Sequence, residues 1–175
     1  IPITLLDDKL EYPYNTKHKP NFIIIPKSVL FMPQKSDAEF VDTGFQFFNV
    51  YKFIGSPSGN IRVDYMMPGV YADGWLMDNA KLLISGDGRG NQVKVSLNLT
   101  ANGNGGDNMF ALLSDTTGKK TSVKIGPSGT ALDLLINKKP DEKNFELKLG
   151  ASSYFVPGGD DIRKLTYQVT KVVIH

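Results

Sequence analysis

The 175-residue chain contains no cysteine. Disulfide frameworks, thiolate metal sites and cysteine nucleophiles are therefore excluded, while the compartment stays open. Histidine occurs twice, as His18 and His175, and neither stands in a pattern such as H-E-x-x-H. A histidine-based zinc site is not expected. A Ser-His-Asp triad needs a buried, oriented imidazole, which neither an N-terminal arm nor the last position readily supplies. No window is apolar and long enough to span a bilayer as a helix, and the start shows no signal-peptide pattern. One-sided charge is missing too. The net charge is +2, so no strong field recruits nucleic acid or an acidic membrane surface. Lysines are scattered along the chain, and no basic stripe is interleaved with aromatics. A chain opening on Ile1 rather than Met is expected to be a fragment or processed product.

Hydrophobic residues make up 41% and charged residues 22% of the chain, enough for a real core and against disorder. No sustained helical period is present, although a short helix near 76–79 or after Gly159 is allowed. Short apolar or alternating runs recur about every ten residues, with turn signals between them. They fall at 22–25, 29–32, 40–54, 61–66, 81–84, 93–99, 109–113, 121–125, 130–136, 145–149 and 167–174. The clearest is 93–99, where Val93, Val95, Leu97 and Leu99 alternate with polar residues and define a half-buried strand. Residues 34–39, 55–60, 86–91 and 101–108 read as loops. The pattern is that of an all-β protein, an antiparallel β-sandwich (jelly-roll or immunoglobulin-like) of about nine or ten strands. Residues 1–20, broken by Pro2, Pro13 and Pro20, form an arm or linker, and 21–175 a single sandwich domain.

The chain holds one tryptophan, in Tyr71-Ala-Asp-Gly-Trp75, where the Asp73-Gly74 turn re-enters a sheet. Such a residue either plugs the end of a core or offers a flat face to a ligand. A second segment, 149–165, contains Ser152, Phe155-Val-Pro157, Asp160, Arg163 and Leu165 and runs into the last strand. The two motifs together resemble those of β-sandwich accessory domains found in bacterial glycosyltransferases and related glycan-assembly proteins. The resemblance covers roughly residues 61–175. It implies that Trp75 and the Phe155-Val-Pro157 step anchor a loop to the core, and that an Asp–Arg pair ties the loop before the last strand. The compact Pro157-Gly-Gly-Asp160 departs from the longer connection of the family and leaves the role of Asp160 open.

Catalytic constellations are weak. Asp160 with Asp161, or Asp73 with Asp78, would need a fixed separation and one raised pKa to act as acid and base. Gly86-Asp-Gly-Arg-Gly90 resembles a phosphate loop but is followed by a strand instead of a helix, so it reads as a plain loop. Asp87, Asp107 and loop 101–108 offer oxygen ligands for a structural calcium ion, although a flexible hairpin loop explains them as well; no cofactor is expected. Asn98-Leu-Thr100 matches a glycosylation acceptor inside a strand and carries no weight.

A sandwich without a catalytic set is expected to bind or to build. Sugar recognition uses aromatic faces together with Asp, Asn or Arg side chains for hydroxyls. The candidates are Tyr71, Asp73, Trp75, Asn79, Tyr154, Asp160 and Arg163, with Tyr65 as a further aromatic. The expectation is a non-catalytic, carbohydrate-binding-like module of a glycosyltransferase or glycan-assembly protein, associated with the cell envelope. Its partners would be an oligosaccharide or polysaccharide and the catalytic domain of the same parent protein. The alternatives are a structural or adhesive surface subunit exchanging its final strand and, third, a glycan-active hydrolase.

Overall fold

Alternation decides which side chains face inward, and register decides which strands share them. In the computed structural model, residues 10–13, 22–27, 30–55, 60–71, 73–78, 80–101 and 109–175 are described. They contain no helix and thirteen strands: β1 (Glu11–Pro13), β2 (Phe22–Pro26), β3 (Phe31–Pro33), β4 (Ala38–Val41), β5 (Phe48–Phe53), β6 (Asn60–Met66), β7 (Lys81–Ile84), β8 (Gln92–Thr100), β9 (Phe110–Asp115), β10 (Lys120–Lys124), β11 (Thr130–Asn137), β12 (Phe145–Ala151) and β13 (Gln168–Ile174).

All pairing is antiparallel. A large sheet runs β1-β6-β7-β12-β9-β10, with β3 also on β6; the other two sheets are β11-β8-β13 and β2-β5-β4. The all-β sandwich is as expected, but it has more strands than nine or ten. The additions come from short elements. β1 is only three residues long and ends in proline, too short for an alternation to register. The stretch 34–39, read as loop, becomes strand at Ala38 because a turn closes first, with the N–H groups of Asp37 and Ala38 donating to Gln34 O. Conversely, Phe45 and Phe47 lie in the loop before β5, well exposed.

The main core lies between the large sheet and β11-β8-β13. Val93, Val95, Leu97 and Leu99 of β8 meet Leu82, Ile84, Leu113, Phe145, Leu147 and Leu149 across it. A second core joins the opposite face of the large sheet, through Ile61, Val63 and Leu83, to Ile25, Ala38 and Tyr51 of the small sheet. One strand serves both because of a bulge. The β3–β6 register steps from Met32↔Tyr65 to Pro33↔Val63, leaving Asp64 as an extra residue. An inserted residue reverses the phase of alternation. Ile61 and Val63 therefore point to the small sheet, and beyond the bulge Met66 does so while Tyr65 turns to the main core. The small sheet covers only the β6–β7 end. Toward β12, β9 and β10 the outer face of the large sheet is open.

Tyr167 is fully buried in the main core, and its hydroxyl has no hydrogen-bond partner among the described residues. Burial pushes the phenol pKa up. An orphaned buried hydroxyl costs about 1–3 kcal/mol. Tyr167→Phe is therefore expected to stabilise the protein by about 1 kcal/mol in urea denaturation; a loss of stability would mean that the hydroxyl has a partner.

Candidate functional site

A tight turn closes between Tyr71 and Trp75: Tyr71 N–H donates to Trp75 O at 2.8 Å, and Gly74 N–H to Tyr71 O at 2.8 Å. Gly74 makes this possible, since its φ of +89° is one that a side chain would resist. The turn docks on the segment 155–168 that precedes and opens β13. Leu76 N–H donates to Tyr167 O, and the Gln168 side-chain amide to Asp73 O, both at 3.0 Å. Trp75 meets Phe155 edge to face, with ring centroids 5.0 Å apart, and Phe155 pairs with Leu165 through two backbone hydrogen bonds.

Above this apolar contact sits a charged clasp. Arg163 donates from Nε to Asp161 Oδ1 at 2.9 Å, and from Nη2 to Asp161 Oδ2 at 2.7 Å and Asp73 Oδ2 at 2.8 Å. Its guanidinium lies over the Tyr71 ring, 4.9 Å from the centroid. The Arg163 side chain and backbone N–H hold the Asp161 carboxyl down at about 2, and the two carboxylates raise the arginine further. The clasp thus joins chain segments some ninety residues apart through charge-assisted hydrogen bonds.

A groove lies on the open half of the large sheet. It encloses about 720 Å³ between the 68–81 connection and strands β7, β12 and β9, with Lys81, Glu146, Lys148, Ser114 and Leu112 along its floor and Asp78 at its rim. A smaller hollow of about 280 Å³ shares Asp78, Leu149 and Gly150 with it and ends at Ser152, Tyr154 and Thr166. Tyr154 is 53% exposed, with Lys164 Nζ 4.7 Å from its ring centre. Lys81 Nζ lies 3.5 Å from Glu146 Oε2.

Of the residues singled out in the sequence, Tyr71, Asp73 and Arg163 come together and Trp75 lies beneath them. Tyr154 stands apart at the groove's end. Asp160 is exposed at the Gly158–Asp161 turn, so the carboxylate that forks onto Arg163 is Asp161 and not its neighbour. Asn79 lies outside the described residues. Tyr65 packs into the main core. Asp73 pairs with Arg163, while Asp78 lines the groove, so the two belong to different arrangements. The groove lysines, Lys81 and Lys148, stand in no motif and were not found from the sequence.

Two other groupings bear on chemistry. On the outer face of β8, Ser96 Oγ donates to Asp133 Oδ1 at 2.6 Å and lies 2.8 Å from His175 Nε2. The serine stands between the acid and the imidazole, the reverse of the order that activates a nucleophile. Hydrogen bonding from Ser96, then from Lys94, lowers the Asp133 pKa. For calcium, no three His, Asp or Glu side chains converge among the described residues; Asp107 and residues 102–108 lie outside them. No described helix is long and apolar enough to cross a membrane.

Comparison with protein-family models, with curated proteins and with solved structures finds no match to this chain.

Proposed function

We propose that this chain is a non-catalytic glycan-binding module whose ligand lies in the groove on the open half of the large sheet. The groove itself carries the reading: a polar trough of about 720 Å³ that continues to an exposed aromatic ring. Sugar hydroxyls need donors and acceptors, and the C–H face of a pyranose needs a flat apolar partner. Ser114, Lys148, Glu146 and Asp78 supply the first, and Tyr154 the second. On this reading Tyr71, Asp73, Trp75 and Arg163 position the segment that presents Tyr154, through the Asp73–Arg163 ion pair and the ring contacts of Tyr71 and Trp75. The resemblance of residues 61–175 extends the proposal to an accessory role in a glycosyltransferase or glycan-assembly protein at the cell envelope, with a polysaccharide and the parent's catalytic domain as partners.

Titration of isotope-labelled protein with oligosaccharides tests the site. Shifts are expected at the amides of Lys81, Ser114, Lys148, Gly150 and Tyr154. Tyr154→Ala should weaken binding about fivefold, from the loss of roughly 1 kcal/mol of stacking. Shifts confined to β8, β11 and β13 would move the site to the other sheet and end this assignment. A strand-exchanging surface subunit has less support, because β13 pairs with β8 of its own chain.

A further inference from the structure

We infer that the groove takes an acidic saccharide, a chain carrying carboxylates on successive sugars, held by a row of lysines from β7, β12 and β10. This rests on the glycan-binding reading above and deepens it. Register places Lys81 opposite Lys148, Lys148 opposite Ser114, and Ser114 opposite Lys120. Directly opposed residues share a face, so these side chains form one row across β7, β12, β9 and β10, spanning about 14 Å at the usual strand spacing. The next row carries Gly150, Leu112 and Ser122, and beyond it Lys124 stands opposite Phe110.

Like charges directly opposite each other destabilise a sheet. Here Lys81 and Lys148 face each other, and the acidic groups nearby are Glu146, which pairs with Lys81, and Asp78 at the rim. Among the described residues no ion pair ties Lys120, Lys124 or Lys148, and all three are exposed. The face is thus cationic although the protein as a whole is close to neutral. Complementary charge is what such a face selects. The cations are spread along a line instead of converging on one point, which suits single charges repeated along a polymer better than one multiply charged group. Ser114 and Ser122 stand among the lysines as partners for hydroxyls. Gly150 keeps the floor low, since a Cβ there would come within 3.2 Å of Leu112 O.

The test compares a short oligogalacturonate with a neutral gluco-oligosaccharide of equal length and a single-stranded oligonucleotide, by calorimetry on the whole chain. The uronate is expected to bind at least tenfold tighter than the neutral sugar. That preference should shrink between about 0.01 M and 0.15 M salt, as the screening length falls from about 30 Å to about 8 Å. Lys148→Gln and Lys120→Gln should each cost about fivefold for the uronate, as loss of a charge-assisted contact implies. Lys94→Gln, on the other sheet, should cost nothing. Circular dichroism confirms that each variant folds. Equal binding of neutral and acidic sugars overturns the inference and leaves the glycan-binding reading intact, whereas no binding of either at millimolar concentration overturns both. Tighter binding of the oligonucleotide, or indifference to the groove lysines, also overturns the inference.

Discussion

Asp37→Ala is expected to destabilise the protein by about 3–5 kcal/mol, as removing one member of a buried ion pair does. The Asp37 side chain is fully buried. Its Oδ2 accepts Arg62 Nε at 2.8 Å and Arg62 N–H at 3.0 Å, and its Oδ1 accepts Arg62 Nη2 at 2.8 Å and Ser36 Oγ at 2.9 Å. The pair links the turn before β4 to β6, so it joins the small sheet to the large one. Removing the carboxylate takes from the part-buried guanidinium both of its hydrogen bonds to Asp37. Hydrogen bonding from Arg62 outweighs burial and holds the Asp37 pKa below 3.8. A depressed folded-state pKa means stability that is present above the unfolded value and lost as pH falls through the folded one. Urea denaturation should therefore show the gap between wild type and Asp37→Ala narrowing below about pH 3.8. A gap that stays constant into strong acid would exclude the ionised carboxylate as its source. Asp115 works in the same direction: burial pushes its pKa up, but donors on Thr117, Asn137 and Lys119 outweigh that and lower it.

Phe145→Ala should cost about 3–5 kcal/mol, the range for emptying a large aromatic site in a packed core. Phe145 has no exposed surface and heads β12, whose inward side chains Phe145, Leu147 and Leu149 form the middle of the main core. At the scale of a chain this long, that loss lowers Tm by roughly 10 °C. Thermal unfolding followed by circular dichroism measures it. Phe145→Leu, which leaves less empty volume, should lose under half as much. If both substitutions cost the same, shape at this position and not buried volume governs the core. The two variants also differ in kind: Asp37→Ala removes an acid-sensitive contribution, so its cost shrinks at low pH, whereas Phe145→Ala should act at every pH.

The inward faces of β8, β11 and β12 could be read from the sequence because one side of each strand is wet and the other dry. Val93 to Leu99 alternates without interruption, and the structure places each member where the period puts it. β6 could not be read so simply. Its apolar residues serve two cores in turn, and the switch lies in Asp64, the residue with no opposite number on β3, which looks like any polar residue in a strand. β4 was hidden because Glu39 and Phe40 are both exposed and give no alternation. The clasp was partly legible: Asp73 and Arg163 stood out by type and setting, but the choice of Asp161 over Asp160 depends on a turn through Gly158 and Gly159, both at positive φ. The lysine row was not legible at all. Lys81, Lys120 and Lys148 are dozens of residues apart, and only the pairing registers bring them into line.

The place of β13 has a bearing on how the protein is made. β8 is the middle strand of its sheet, and one of its two edges is filled by residues 168–174. Until residues 168–174 have left the ribosome, that edge has no partner, and the dry face carrying Val95, Leu97 and Leu99 has only β11 beside it. The layer opposite, from β6 to β12, can be paired by then. Emergence of the last strand is thus the event that turns a half-built sandwich with an adhesive edge into a closed one.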